Sequence, residues 1–341
     1  MAFKKEADMR LIKNISCITA LLILITFISG CLGNSIMKSE DQIHIEVIVK
    51  NRIAPFWTVV EMGAIAAGRE FGVNIHFDGP TDEKDIEEQI NMVQRAIDLK
   101  ADAIVLAACD SEELVDIAHE ALSKKIPVIT IDSGINSQKV KSFIGTDNVG
   151  AGEKLGQALV NKVGDSCKIV VMSFVKGAAS CDQREEGLFK TLDMYEDIQI
   201  VDIIYCNSDV DTAENLTVEI IEKYSDIDAI VGLNAYGTTG AAKAIIEQNK
   251  VGTIKIIGFD STPEEVRYLE RDIIQSLVVQ NPFSMGYLGV KYAFEAIKNE
   301  KIPNIVDTGS TVIDKDSMFY IENQKLVFPF TDGLSDPTVI P

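Results

Sequence analysis

The sequence predicts an α/β protein of two doubly wound parallel-sheet domains. Three observations carry this. Short apolar runs alternate with amphipathic stretches from residue 43 onward. Apolar residues make up 46% of the chain, enough for two cores in 341 residues. The strand–helix rhythm also pauses near residue 148 and starts again with no long linker, so the boundary reads as a hinge rather than a tether.

In the first half, strands are expected at 44–49, 73–77, 103–107, 127–131 and 143–146. Helices are expected at 56–71, 83–99 and 112–123. Ile86, Ile90, Val93 and Ile97 fall at helical spacing, whereas Ala103–Ala107 is a continuous apolar run suited to a strand buried on both faces. The second half gives helices at 150–163, 181–194, 212–224, 236–249 and 285–298, with one more opening at Pro263. Its strands are 168–174, 198–205, 229–233, 254–259 and 276–279. Thr262, Pro263 and Glu265 form a capping box with proline at the first helical position. The tail from Thr311 reads as extended, ending in turn-rich residues 331–341.

The formal net charge of −20, with no Lys/Arg cluster, argues against nucleic acid and fits a small neutral or cationic ligand. Residues 1–30 read as an export leader: Lys4, Lys5, Arg10 and Lys13 precede an apolar run at 18–28 that is short for a membrane span. Ser29-Gly30-Cys31 resembles a bacterial lipobox, which would make Cys31 the lipidated N-terminus and 31–42 a tether, anchoring the protein outside the cytoplasm. Cys109, Cys167, Cys181 and Cys206 show no Cys-x-x-Cys or Cys/His metal spacing and read as buried thiols; whether Cys181 and Cys206 pair is not legible.

The strand ends carry the functional signal, because ligands of open α/β sheets bind at the carboxyl ends of the strands. Those ends hold Phe56 and Trp57, then Asp132, Arg184, Asn234, Asp260 and Gln280. Carboxylates accept hydroxyl hydrogens, a guanidinium donates as a planar fork, and carboxamides do both. Phe56 and Trp57, aimed by Pro55, can stack on the C–H face of a sugar or pack on the core. The set suits a polyhydroxylated ligand. No catalytic nucleophile–base pair, metal site or cofactor is expected, because His44, His76 and His119 fall in element bodies away from this edge. Gly150-Ala151-Gly152 and Gly156 only loosely resemble a dinucleotide fingerprint and lack its spacing and acid.

Ala54-Pro55-Phe56-Trp57, Ile131-Asp132, Thr146-Asp147-Asn148, Arg184-Glu185-Glu186-Gly187, Asn234, Gly258 to Pro263 and Gln280 together resemble the bacterial periplasmic sugar-binding proteins of the ribose-binding type. The resemblance covers 43 to about 315 and implies the type I periplasmic binding protein fold, with three interdomain crossings near 147, 282 and 306. Residues 43–147 with 283–305 would form the N-terminal domain, and 148–282 with 306–341 the C-terminal one. It implies that the seven strand-end residues bind sugar, and that the protein is a monomeric solute receptor, not an enzyme, serving the membrane subunits of an ABC importer. A sensory receptor of the same fold, signalling to a membrane kinase or binding an autoinducer, is the alternative; an export leader in place of a DNA-binding helix pair argues against a repressor. Ser133 stands where the family has Arg, Ala235 where it has Asp, and Ser208 where it has an aromatic wall. A more open site is therefore expected, for a hexose, disaccharide or other polyol rather than ribose.

Overall fold

The computed structural model describes residues 42–140 and 142–329. The expected leader at 1–30, Cys31 and the tether up to residue 41 lie outside the described residues, as does 330–341. The elements of the first half are β1 (His44–Ile48), α1 (Pro55–Phe71), β2 (Asn74–Asp78), α2 (Ile86–Asp98), β3 (Ala103–Leu106), α3 (Val115–Ser123), β4 (Val128–Ile131) and β5 (Phe143–Gly145). Then come α4 (Asn148–Val163), β6 (Ser166–Ser173), α5 (Ala179–Leu192), β7 (Asp197–Tyr205), α6 (Val210–Lys223), β8 (Ala229–Gly232), α7 (Ala235–Glu247), β9 (Lys255–Phe259), α8 (Pro263–Glu270) and β10 (Ser276–Gln280). The described residues finish with α9 (Pro282–Ile297), β11 (Ile305–Asp307), β12 (Ser310–Ile313) and α10 (Ile321–Val327).

The strands form two six-stranded sheets, ordered β11-β5-β4-β3-β1-β2 and β12-β10-β9-β8-β6-β7. All pairings are parallel except β10 with β12. In the first sheet alternate residues face two cores. Ile45, Val47, Val105 and Ile129 meet Val60 and Ala64 of α1 and Val290 of α9. Ile104, Leu106 and Val128 meet Val93 and Ile97 of α2 and Ala118 of α3. Burial on both faces is why these strands read as unbroken apolar runs. Each buried Ile, Leu or Val stabilises the fold by about 1.5–3 kcal/mol.

Helix pairs dock through glycine. A Cβ on Gly63 of α1 would lie 2.0 Å from the Phe283 carbonyl oxygen of α9, and one on Gly286 would lie 1.9 Å from that of Val60. The second half repeats the device: a Cβ on Gly152 of α4 would meet the Arg184 carbonyl at 2.3 Å, and one on Gly187 of α5 that of Val149 at 2.0 Å. Of the glycines at 150–156, Gly152 and Gly156 thus serve helix packing, while Gly150 lies against the capping Asp147 carboxylate.

The chain passes between the sheets after β5, after β10 and between β11 and β12. The third passage lies later than the expected 306: Val306 and Asp307 pair with Ile144 and Gly145 at the edge of the first sheet, and the turn follows at Gly309, φ +80°. These two residues therefore belong with the first sheet. The tail, expected to be merely extended, contains α10, whose Val327 joins the second core. A seven-residue helix without a side-chain cap leaves little trace in sequence. The helix expected from Glu83 begins only at Ile86, because Asp85 caps it by accepting from Glu88 N at 3.1 Å. Cys109, Cys167, Cys181 and Cys206 are buried free thiols.

Candidate functional site

All seven residues expected at the strand ends line one cavity of about 340 Å³ between the two sheets. On the first side, Asn51 Oδ1 accepts from Ile53 N at 2.9 Å and Ala54 N at 3.1 Å, shaping the turn that delivers Pro55 to the start of α1. Phe56 and Trp57 meet edge to face, centroids 4.9 Å apart. Trp57, at 3% exposure, is packed in the first core, and one of its surfaces lines the cavity. Asp132 follows β4 with φ +57°, and its carboxylate pairs with Lys50 Nζ at 2.9 Å.

On the second side, Arg184 is buried and held from three directions. Its Nε donates to Asn148 Oδ1 at 2.9 Å, and Nη1 donates to the Leu233 carbonyl at 2.8 Å. Its guanidinium carbon lies 3.7 Å from the Phe259 ring centroid, a cation–π contact. Asp260 mirrors Asp132: it follows β9 with φ +79°. Its Oδ1 accepts from Gln280 Nε2 at 2.7 Å and its Oδ2 from Ala235 N at 3.0 Å. Gln280 in turn accepts from Thr146 Oγ1 at 2.7 Å, which links the first crossing to the carboxylate. Burial pushes the Asp260 carboxyl up, against the pull of Arg184 and the donated hydrogen bonds.

Asn234 is more committed than expected. It is the N-cap of α7, its Oδ1 accepting from Gly237 N at 2.9 Å, and its Nδ2 donates to Ser208 Oγ at 3.1 Å. One amide hydrogen is left for a ligand.

Among the wall residues the sequence reading does not include are Lys50, Glu83 and Tyr236, and also Phe174, Glu264 and Arg267. Lys50 comes directly off the first strand and could have been found by the strand-end rule. Glu83 and Tyr236 are the first residues of expected helices, 83–99 and 236–249. Lys50 supplies the cation beside Asp132 that Ser133 appeared to remove, also donating to Ser133 Oγ at 3.0 Å. The aromatic surface missing at Ser208 comes instead from Phe174 and Tyr236. The cavity reaches the surface beside Pro55, Pro263 and Arg267, while the lobes touch around it. Ser208 Oγ donates to Glu83 Oε2 at 2.9 Å, Ser133 and Ser180 Oγ meet at 3.0 Å, and Ser111 N donates to Gly177 O at 3.3 Å, all between the two halves. Burial raises the Glu83 carboxyl, with Lys50 opposing.

The histidines stand apart from the cavity. His44 and His76 flank Glu46 at 2.7 and 2.6 Å, and His119 hydrogen-bonds Ser137 at 2.7 Å.

Two doubly wound lobes closed around a polar cavity define a solute-binding protein of the hinge-closing kind. The chain belongs to the periplasmic binding protein family, whose domain model matches residues 45–301. It is 24% identical over 303 residues to a ribose import binding protein of Haemophilus influenzae, covering 89% of this chain and 100% of that one. It is similar to the structure of an ABC transporter solute-binding protein from Agrobacterium vitis with bound D-fucose, at TM-score 0.80 and 34% identity over 84% of this chain and 100% of that one. A sugar transporter structure from Clostridium phytofermentans matches at TM-score 0.75 and 38% identity, over 81% and 100% of the two chains. Family membership makes the protein a solute receptor working outside the cytoplasm, not an enzyme. Among the described residues no helix is long and apolar enough to cross a membrane.

Proposed function

We propose that this protein closes on a monosaccharide-sized carbohydrate and presents it to the membrane subunits of an ABC importer, held to the cell membrane by a lipid on Cys31. One observation supports the reading above the others. Phe56, Trp57 and Asp132 from one lobe and Arg184, Asn234, Asp260 and Gln280 from the other converge on a single cavity of about 340 Å³. That volume lies near the lower end of the roughly 300–1,000 Å³ usual for small-ligand sites, and a sugar ring suits it. Apolar ring faces meet Phe56 and Trp57, while hydroxyls meet the carboxylates and the guanidinium. Relatives described as binding ribose, allose and D-fucose support the class of ligand without choosing its member.

The test is calorimetry and thermal shift on residues 32–341 against pentoses, hexoses, polyols and small oligosaccharides. A ligand at a hundred times its Kd stabilises the protein by about 2.7 kcal/mol, a readily seen shift. Asp260→Ala is expected to lose more than about 1 kcal/mol of affinity, since buried partners are left unpaired. Silence across the whole panel, or unaltered affinity in Asp260→Ala, contradicts the reading. A sensor kinase could read the same closed form, and co-purification of the membrane partner separates the two roles.

A further inference from the structure

The charges inside the cavity do not balance. Two buried cations, Lys50 and Arg184, face three buried carboxylates, Glu83, Asp132 and Asp260. Glu264 and Arg267 also line the cavity, are not buried, and cancel one another. Asp132 has its ion pair with Lys50, and Asp260 has two donated hydrogen bonds, from Gln280 and the Ala235 amide. Glu83 is the remainder. It is only 8% exposed, and Lys50, the cation that acts on it, is paired with Asp132 and lies beyond ion-pairing distance of Glu83. Its Oε2 takes one hydrogen bond, from Ser208, while Oε1 has no partner among the described residues. From the other lobe, Tyr236 also lines the cavity, and its hydroxyl is buried with no partner there.

A carboxylate removed from water needs a charge-assisted partner, and an unpaired one is strongly disfavoured. A neutral hydroxyl satisfies the hydrogen-bonding capacity of Glu83 Oε1 but leaves the carboxylate without a compensating charge, so that it either stays ionised at a cost or takes up a proton. An ammonium group supplies the charge and the hydrogen bond together, and has two further hydrogens for other acceptors of the wall. Resting on the carbohydrate reading of this cavity, we infer that the preferred ligand is a monosaccharide-sized polyol bearing one free amine, an amino sugar or amino cyclitol, with its ammonium group against Glu83.

The experiment is calorimetry on the full chain purified in detergent, using matched sets: glucosamine, glucose and N-acetylglucosamine, and the same three forms of galactose and mannose. In at least one set the amine is expected to bind about tenfold or more tighter than its hydroxyl parent. N-acetylation, which removes the charge, is expected to abolish the gain, and Glu83→Gln to bring the amine-to-parent ratio to about one. Parent sugars binding as tightly as their amines, or a preference that survives in Glu83→Gln, overturns the inference while leaving the carbohydrate reading intact. Absence of binding by every amine and every neutral sugar overturns both. If Glu83→Gln does not fold, the comparison of amine with N-acetyl form in the wild-type chain decides.

Discussion

Ser133, just past β4 of one lobe, and Ser180, in the first turn of α5 of the other, meet Oγ to Oγ at 3.0 Å across the cleft. Lys50 reaches both, at 3.0 and 3.4 Å, so the contact sits over the buried Lys50–Asp132 pair. Of these, the Ser133–Ser180 and Lys50–Ser180 bonds join the two lobes and can exist only while the lobes are together. Ser133→Ala and Ser180→Ala are each expected to weaken sugar binding by about 0.5–1.5 kcal/mol. A double-mutant cycle measured by calorimetry should return a coupling of at least about 0.5 kcal/mol, whereas strict additivity would show that the contact does not contribute to closure.

Lys50→Met leaves Asp132 buried and unpaired. Breaking a buried pair by removing one partner costs about 3–5 kcal/mol. Because water can reach Asp132 when the lobes part, most of this should appear as lost affinity, a hundredfold or so at the least, with a smaller change in the melting temperature of the ligand-free protein. Wild-type affinity in Lys50→Met would show that the pair is not needed for closure.

Glu265 gives a pH dependence. It closes the capping box of α8, accepting from Thr262 N and Oγ1 at 2.8 and 2.9 Å, but is fully buried with Oε1 unpartnered. Burial first, then the nearby Asp260 carboxylate, raises its carboxyl well above the ordinary value. The folded protein therefore holds a proton that the unfolded chain releases. That contribution is greatest below the ordinary carboxylate pKa and is lost as pH rises toward the raised one. Glu265→Gln keeps an acceptor for the box and removes the charge. Its melting temperature relative to wild type should rise between pH 4 and pH 8, by about 2–4 °C per kcal/mol. A pH-independent difference contradicts this.

Gly187→Ala tests the packing of the second lobe. Its Cβ would lie 2.0 Å from the Val149 carbonyl, so α4 and α5 must separate. A loss of about 1–3 kcal/mol in chemical unfolding is expected. Binding should weaken as well, because Arg184 is carried on α5 and anchored to Asn148 on α4. Full stability in this variant would refute the close approach.

The strand ends were legible because parallel strands buried on both faces leave little else polar in the sheet, so Asp132, Asp260 and Gln280 stand out after apolar runs. The capping box at Thr262 was legible because its signal is local. Glu83 and Tyr236 were hidden for the opposite reason: each adjoins a helical pattern, and only the turn that Asp85 caps, or the start of α7 at Ala235, turns them to the cleft. The exchange of Lys50 for a guanidinium beside Asp132 joins residues from two strands, which no single motif records. The antiparallel return of β12 and the short α10 likewise depend on contacts distant in sequence.

A crystal structure of the complex with whichever sugar of the panel binds tightest tests the central claim most directly. It should place the ring between Phe56 and Trp57 on one side and Arg184 on the other, with hydroxyl oxygens within hydrogen-bonding distance of Asp132, Arg184 and Asp260. A sugar bound outside this cavity, or inside it without touching either aspartate, would contradict the account.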